Sequence, residues 1–411
     1  MVSLSELAWR NALAKLDRFK EPILVQKYGG ASVETPEKIR QIAERIREHR
    51  LEGFAVVVVV SAMGKTTNQL MDLARQITPE PPRREMDMLL STGERVTMSL
   101  LSMALGKAGL PAISFTGSQA GILTNEAHES AQIISLKPFR VIDAICEGKV
   151  VVLAGFQGVA ERTKEITTLG RGGSDLTAIA MACALRASRC EILKDVDCVL
   201  NGDPRDLENV SPLRKIGYQA MLEMSFLGAK VIQYRAVEMA AAHKIPIYVG
   251  PAFTKNSEGT LIDHQYENLS VSAVNTFKTV VKFTLKTGVS FGDFVAKLNH
   301  HQIAQPQVLA VDINPSDLQE QWLWLTGPDE ILEALIKMAA KDSASEANAQ
   351  FSLVSLTGIA FQNLEHMDQI FEKLLSENIR IEKLIHSAMS LVFIVKRNDF
   401  QKAVLTLGKL L

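Results

Sequence analysis

Short, unbroken apolar runs separated by stretches with a helical period set the rhythm of the first part of this chain. Val56–Val60 is β-branched throughout, as expected of a strand covered on both faces in a parallel sheet. Ile23–Gln26, Pro111–Phe115, Val150–Ala154, Glu191–Leu193 and Ile245–Val249 read as further strands. Between the first two, Ile39, Ile42, Ala43 and Ile46 recur at helical spacing, with Thr35 as cap, Pro36 in the first helical position and Gly53 past the end. Met86–Ala108, Phe139–Cys146 and the alanine-rich Leu176–Leu185 are helical, and Gly217–Ala242 reads as two helices joined near Gly228. Residues 1–20 form an amphipathic helix with Lys15, Arg18 and Lys20 among apolar positions. This β-α alternation predicts a three-layer αβα sandwich over residues 21–265.

The pattern changes after residue 265. Val280–Leu285, a helix near Val289–Asn299, Val308–Ile313, Trp322–Leu325 and a helix Asp329–Ala340 spell βαββα. Phe351–Leu356, Leu364–Glu377, Ile379–Ile385, Leu391–Val395 and Phe400–Leu410 spell it again. Such a repeat predicts two small ferredoxin-like βαββαβ units, 266–342 and 350–411, with polar Lys341–Gln350 as the linker.

Composition narrows the function more than the fold. A chain of 411 residues with 47% hydrophobic content can bury a large core in two or three domains. A formal net charge of −1 argues against a general nucleic-acid or membrane-surface binder. No apolar run reaches membrane-spanning length and no secretory signal is legible, so a cytoplasmic location is expected. Cys146, Cys183, Cys190 and Cys198 have no CxxC spacing and read as free thiols. Asn209-Val210-Ser211 fits a glycosylation sequon that carries no meaning in that compartment.

Candidate chemistry gathers in turns that follow strands. Thr168-Leu-Gly-Arg-Gly-Gly-Ser-Asp175 packs Gly170, Gly172 and Gly173 before a helix, a combination suited to binding an anion on backbone amides. Arg171 sits inside that loop, where its planar fork suits a carboxylate or phosphate. Lys27-Tyr28-Gly29-Gly30-Ala31-Ser32 follows the first strand, and Gly155-Phe156-Gln157-Gly158 follows another. Ser61-Ala62-Met63-Gly64-Lys65-Thr66-Thr67 imitates the end of a phosphate-binding P-loop, but Val59 stands where the earlier glycine is required. On pattern alone Glu94, in Ser91-Thr92-Gly93-Glu94-Arg95, reads as an ordinary surface charge. Asp195 and Asp197 fit either a metal or a solvated strand face, and no side chain is assigned as a metal ligand.

Taken in order, these motifs resemble aspartate kinase (aspartokinase), of the amino-acid kinase superfamily with C-terminal ACT domains. Lys27–Ser32, Ser61–Thr67, Ser91–Arg95, Phe115–Gly121, Thr167–Asp175, Cys190-Glu191-Ile192, Asp195–Asp197, Asp203-Pro204-Arg205 and Gly228–Val231 carry the resemblance. It implies ATP-dependent phosphorylation of the L-aspartate side-chain carboxylate to 4-phospho-L-aspartate, opening lysine, threonine and methionine biosynthesis. Lys27, Arg171 and Asp175 are the implied catalytic residues. ATP would lie on Lys27, Tyr28, Gly29, Gly30, Ser32, Asp195, Asp203 and Arg205, with Mg2+. Aspartate would lie on Ser61, Thr66, Glu94, Gln157, Arg171, Gly172, Gly173 and Ser174. The C-terminal units resemble ACT domains, implying a homodimer and lysine or threonine as effectors. The chain departs from the family pattern at Leu193, Lys194, Cys198 and Leu200, and Thr287-Gly288 stands where the first ACT unit usually has Pro-Gly. A non-catalytic ACT-bearing regulatory subunit, or an enzyme of the same fold acting on another carboxylate, are the alternatives.

Overall fold

The apolar runs become the centre of a parallel sheet. A computed structural model describes residues 4–254, 258–266, 272–286, 288–301, 303–314, 317–358 and 364–411. Thr287 of the Thr-Gly turn lies outside the described residues. The chain divides into two compact units, Met1–Val199 with Pro212–Leu222 and Lys230–Leu269, and Leu200–Ser211 with Glu223–Ala229 and Ser270–Leu411.

The elements run α1 (Leu4–Arg18), β1 (Ile23–Tyr28), α2 (Pro36–Leu51), β2 (Ala55–Val60), α3 (Thr66–Ile77), α4 (Arg83–Lys107), β3 (Ala112–Phe115), β4 (Ile122–Thr124) and β5 (Ile133–Leu136). Then come α5 (Phe139–Cys146), β6 (Val150–Ala154), β7 (Gln157–Ala160), β8 (Ile166–Thr168), α6 (Gly173–Leu185), β9 (Arg189–Lys194), β10 (Val199–Leu200), β11 (Pro212–Leu213) and β12 (Lys215–Ile216). The helices α7 (Tyr218–Phe226) and α8 (Tyr234–His243) precede β13 (Ile247–Pro251) and β14 (Thr260–Ile262). As the sequence predicts, Thr35 caps α2, its hydroxyl accepting the Lys38 N–H at 3.3 Å.

Among the described residues of the first unit, an eight-stranded sheet runs β12-β14-β13-β9-β1-β2-β6-β3. The strands from β13 to β3 are parallel, and β14 runs antiparallel to β13. Because strand side chains alternate, Tyr28, Val56, Val58, Val60, Val150 and Val152 face one way and bury against Ile39, Ile42 and Ile46 of α2 and Leu101 and Leu105 of α4. The opposite face is covered by α5 and α6, with α1 packed on α5 and α8 on α6. This is the expected three-layer sandwich. Ala12 and Leu16 of α1 are buried, and Arg186 pairs with Asp17 at 2.7 Å.

A second sheet, β5-β4-β7-β8, was not legible as strands. Gly117 sits where it meets β7: a Cβ there would lie 2.1 Å from the Gln157 carbonyl oxygen, a contact that only backbone movement relieves. Gly117→Ala is therefore expected to cost roughly 3 kcal/mol, seen as a lower midpoint in urea unfolding. An unchanged midpoint would show that the sheet yields freely at this point.

The second unit holds β15 (Ala273–Leu285), α9 (Phe291–His300), β16 (Gln307–Asn314), β17 (Asp317–Thr326), α10 (Asp329–Lys341), β18 (Ser345–Thr357), α11 (Leu364–Ser376), β19 (Ile381–His386), β20 (Ser390–Lys396) and α12 (Phe400–Gly408). Its sheet runs β16-β17-β15-β18-β20-β19. The expected linker Lys341–Gln350 is a correction: Ser345–Gln350 opens β18, and Ser345, Glu346, Ala347 and Asn348 pair with Leu285, Thr284, Phe283 and Lys282. Both long strands are shared. The C-terminal half of β15 pairs with β17, while its N-terminal half, Ala273–Phe277, pairs with the part of β18 that also pairs with β20. Each ferredoxin-like half thus takes its fourth strand from the other. One core gathers Phe283, Phe294, Leu323 and Leu335, the other Leu356, Leu374, Phe393 and Leu407. No described helix is long and apolar enough to cross a membrane.

Candidate active site

Lys27 lies near the carboxyl end of β1, between β2 and β9, opposite Val59 and Ile192. The chain leaves β1 for β2 on one side, whereas β9 lies on the other, so this strand end is a topological switch point, the usual ligand crevice of such sheets. The pleat turns Lys27 away from the α2–α4 face and toward α6. There its ammonium pairs with Asp175 Oδ1 at 2.7 Å, both side chains being buried. Lys194, at the end of β9, reaches Asp175 Oδ2 at 3.0 Å and donates also to the Val231 carbonyl. Burial works to raise the Asp175 pKa, but the charges of Lys27 and Lys194 outweigh it and hold the carboxyl below its usual range. Burial lowers the Lys27 pKa despite the attraction of Asp175.

The glycine loop delivers Asp175 to this point. Gly170 and Gly172 have φ of +76° and +72°, values that side chains resist, and Gly172 is the residue from which α6 starts. The Gly173 and Asp175 amides donate to the carbonyls of Gly170 and Gly172 at 2.9 and 3.0 Å. Ser174 is buried against Gly155, where a Cβ would come within 2.9 Å of its side chain. Arg171 is exposed, and its carbonyl accepts from Gln233 Nε2 at 3.0 Å.

A residue with no sequence signal anchors the loop from behind. Asp87 of α4 is fully buried and accepts from the Thr168 hydroxyl, the Glu129 N–H at 3.1 Å and His128 Nδ1 at 2.7 Å. Asp87→Ala leaves the donors of Thr168 and Glu129 unsatisfied, at about 1–3 kcal/mol each. The expected result is a lower melting temperature together with weaker substrate binding through a loosened loop. A variant with lower melting temperature but unaltered substrate binding would confine Asp87 to stability.

Glu94 corrects its pattern-based reading as a surface charge. It is 3% exposed, with Oε1 accepting the Ala62 N–H at 3.2 Å and Oε2 buried without a hydrogen-bond partner among the described residues. Burial lifts its pKa to about 7, opposed by the backbone N–H groups of Glu94 and Ala62. Helix α4 approaches the Ser61–Thr66 turn closely at Gly93, where a Cβ would lie 2.8 Å from that of Ala62. Thr66 opens α3, its hydroxyl donating to the Met63 carbonyl at 2.6 Å. Gln157 is buried and donates from Nε2 to the Ser91 carbonyl at 2.9 Å.

One turn joins the two clusters. The Ser61 N–H donates to the Tyr28 carbonyl at 3.2 Å, and the Gly64 N–H to the Gly30 carbonyl at 3.0 Å. Gly29 is fixed on its other side by donating to the Leu193 carbonyl at 3.1 Å. The loop that continues from Lys27 through Gly29 and Gly30 is thus bonded to the Ser61–Thr66 turn, and Glu94 is bonded to the same turn through the Ala62 N–H. Ser32 is buried in the short turn Gly30–Val33.

Other candidates are placed differently. The Tyr28 ring is fully buried in the core, its hydroxyl donating to Gln26 Oε1 at 3.3 Å, so only its backbone belongs to the nucleotide-like loop. Asp195 is exposed. Asp203 and Arg205 belong to the second unit, where Arg205 donates to both Asp203 oxygens at 2.9 and 2.6 Å. Among the described residues, no cluster of His, Cys, Asp or Glu is arranged to hold a metal ion.

The chain is similar to known proteins over most of its length. The model of the amino acid kinase family matches residues 22–251. The chain is 39% identical over 398 residues to the aspartokinase of Corynebacterium efficiens, covering 93% of this chain and 94% of that one. It is likewise 39% identical over 396 residues to the aspartate kinase of Stutzerimonas stutzeri, covering 93% and 95%. Among solved structures, aspartate kinase from Synechocystis is 33% identical with a TM-score of 0.55, covering 94% of this chain and 69% of that one. Aspartokinase III of E. coli, in complex with aspartate and ADP, shares the fold at 23% identity and a TM-score of 0.77, covering 94% and 99%.

Proposed function

We infer the reaction from one premise: the chain belongs to the aspartokinases of the amino acid kinase family. It is an aspartate kinase, transferring a phosphoryl group from ATP to the side-chain carboxylate of L-aspartate to form 4-phospho-L-aspartate. The observation that carries the site assignment is the pair of complementary clusters on one turn. The loop that continues from the Lys27 cation is bonded to that turn, and so is Glu94, a buried carboxylate with one oxygen unpartnered among the described residues.

The chemistry asks little of acid–base residues, because the aspartate side chain is already ionised at neutral pH. The work is to bring two anions together and to spread the charge on the transferring phosphoryl oxygens. Lys27 bridges the β- and γ-phosphates as a compact cation, and the Gly29 and Gly30 segment lies along them. Glu94 receives the substrate ammonium, Arg171 clamps a substrate carboxylate, and the Gly172 and Ser174 amides, with Gly173 shaping the turn between them, face the developing negative charge at the start of α6. Ser61, Thr66 and Gln157 line the aspartate side. Asp175 orients Lys27 until the nucleotide arrives, holding its ammonium at the strand end. Mg2+ would enter on the nucleotide phosphates and add its charge there; the described side chains form no cage for it, and no step is assigned to it. Asp195 is proposed for the nucleotide.

The product places the enzyme at the opening of lysine, threonine and methionine synthesis in the cytoplasm. The C-terminal halves serve as ACT units that dimerise the chain and take lysine or threonine as effector. Purified protein with MgATP and L-aspartate, with hydroxylamine to trap the acyl phosphate, is expected to yield aspartyl hydroxamate, and none with L-glutamate. No hydroxamate with any nucleotide would move the assignment to a regulatory subunit.

A further inference from the structure

Asp175 is held by two ammonium groups where one would neutralise it. Lys27 lies 2.7 Å from Oδ1 and Lys194 3.0 Å from Oδ2, in a place so dry that the side chains of Lys27, Asp175 and Lys194 are only 7, 4 and 18% exposed. Among the described residues, ion pairs join this one carboxylate to the two ammonium groups of Lys27 and Lys194. The cluster therefore carries one excess positive charge at the switch point of the sheet.

That excess has a use if Lys27 must leave Asp175 to reach the phosphates of a nucleotide. A buried carboxylate abandoned by its only counter-ion is strongly disfavoured. We propose that Lys194 is a positioning residue that removes this penalty: it stays on Asp175 Oδ2, steadied by the Val231 carbonyl, while the Lys27 ammonium passes to the phosphates. Its place suits the task, because Lys194 follows Leu193, whose carbonyl holds the Gly29 amide, and so sits at the root of the loop along which the phosphates lie. The inference rests on the nucleotide reading of this loop.

Calorimetric titration of the full chain with ATP tests it through a mutant cycle. Lys194→Met is expected to weaken ATP at least tenfold, about 1.4 kcal/mol, because binding would then strand Asp175. Lys194→Arg keeps the charge and stays within about threefold of the parent. Asp175→Asn binds ATP at least as tightly as the parent, since nothing remains to be stranded. The double variant Asp175→Asn with Lys194→Met then recovers the parent affinity, which a direct phosphate contact by Lys194 would not allow. A loss that persists in the double variant overturns the proposal, as does an unaffected Lys194→Met or an Asp175→Asn as weak as Lys194→Met. If the cycle behaves as expected while no hydroxamate forms, the hand-off stands and the reaction assignment falls. If hydroxamate forms and the cycle is flat, the hand-off falls alone; a parent chain that binds no ATP overturns both.

Discussion

Lys27→Ala is expected to lower turnover about 10³-fold, the scale of removing a preorganised group that meets transition-state charge. The same change removes one of two partners of a buried carboxylate. Breaking a buried pair outright costs about 3–5 kcal/mol, but Lys194 remains on Asp175, so the fold should survive with a smaller loss. Hydroxamate formation at saturating substrates, with a melting curve on the same preparation, separates the two effects. Near-parental turnover would remove Lys27 from the phosphate role.

The second large effect is expected at Glu94. Glu94→Gln keeps the size and the acceptor for the Ala62 N–H but removes the charge meant for the substrate ammonium. The Michaelis constant for aspartate should rise about 100-fold, close to the 2–5 kcal/mol typical of truncating a buried charge pair. In the parent enzyme, Glu94 has a pKa raised by burial to about 7. Below that pH it is a neutral acid without attraction for an ammonium, so kcat/KM for aspartate should fall about tenfold per pH unit on the acid side. Stability runs the other way. A carboxyl with its pKa raised in the folded state contributes stability that is present below its unfolded pKa and lost as pH rises through about 7. Glu94→Gln should therefore gain up to about 3 kcal/mol at pH 8 and nothing near pH 4. A variant that binds aspartate normally, or whose stability gain does not depend on pH, would contradict this role.

What the sequence revealed tracks how local each cause is. The fully buried strands β2 and β6 announce themselves as β-branched runs, and α2 carries its cap and period in plain view. Strands β4 and β8 are three residues long, too short for any period to register. The start of β18 alternates buried and exposed positions with polar side chains, so it reads as a linker until β15 is laid beside it. Helix α3 buries no residue, although Leu70, Leu73, Ala74 and Ile77 recur at helical spacing. In the site, the glycine loop was legible because backbone conformation selects residue type. Asp87 was not, because a lone aspartate on a helix looks the same whether it meets water or the Thr168 hydroxyl. Glu94 was misjudged from pattern for the same reason, and only the neighbouring Ser61–Thr66 turn makes it a buried acceptor. Lys194 stood out as a departure at the end of β9, but its partner lies on α6 and no spacing in the chain connects them.

The exchange of strands between the two C-terminal halves limits how that region can be taken apart. Cutting the chain in the Asp342–Ala344 turn would not yield two modules, because the first half would lose the Ser345–Asn348 edge and the second the Ala273–Phe277 edge. Neither fragment would be complete, so the duplicated halves are expected to melt as one cooperative block. A ligand that tightens one half must also tighten the strand it lends to the other. Duplication here has joined two copies through the long strands β15 and β18, so a change in either strand is felt in both.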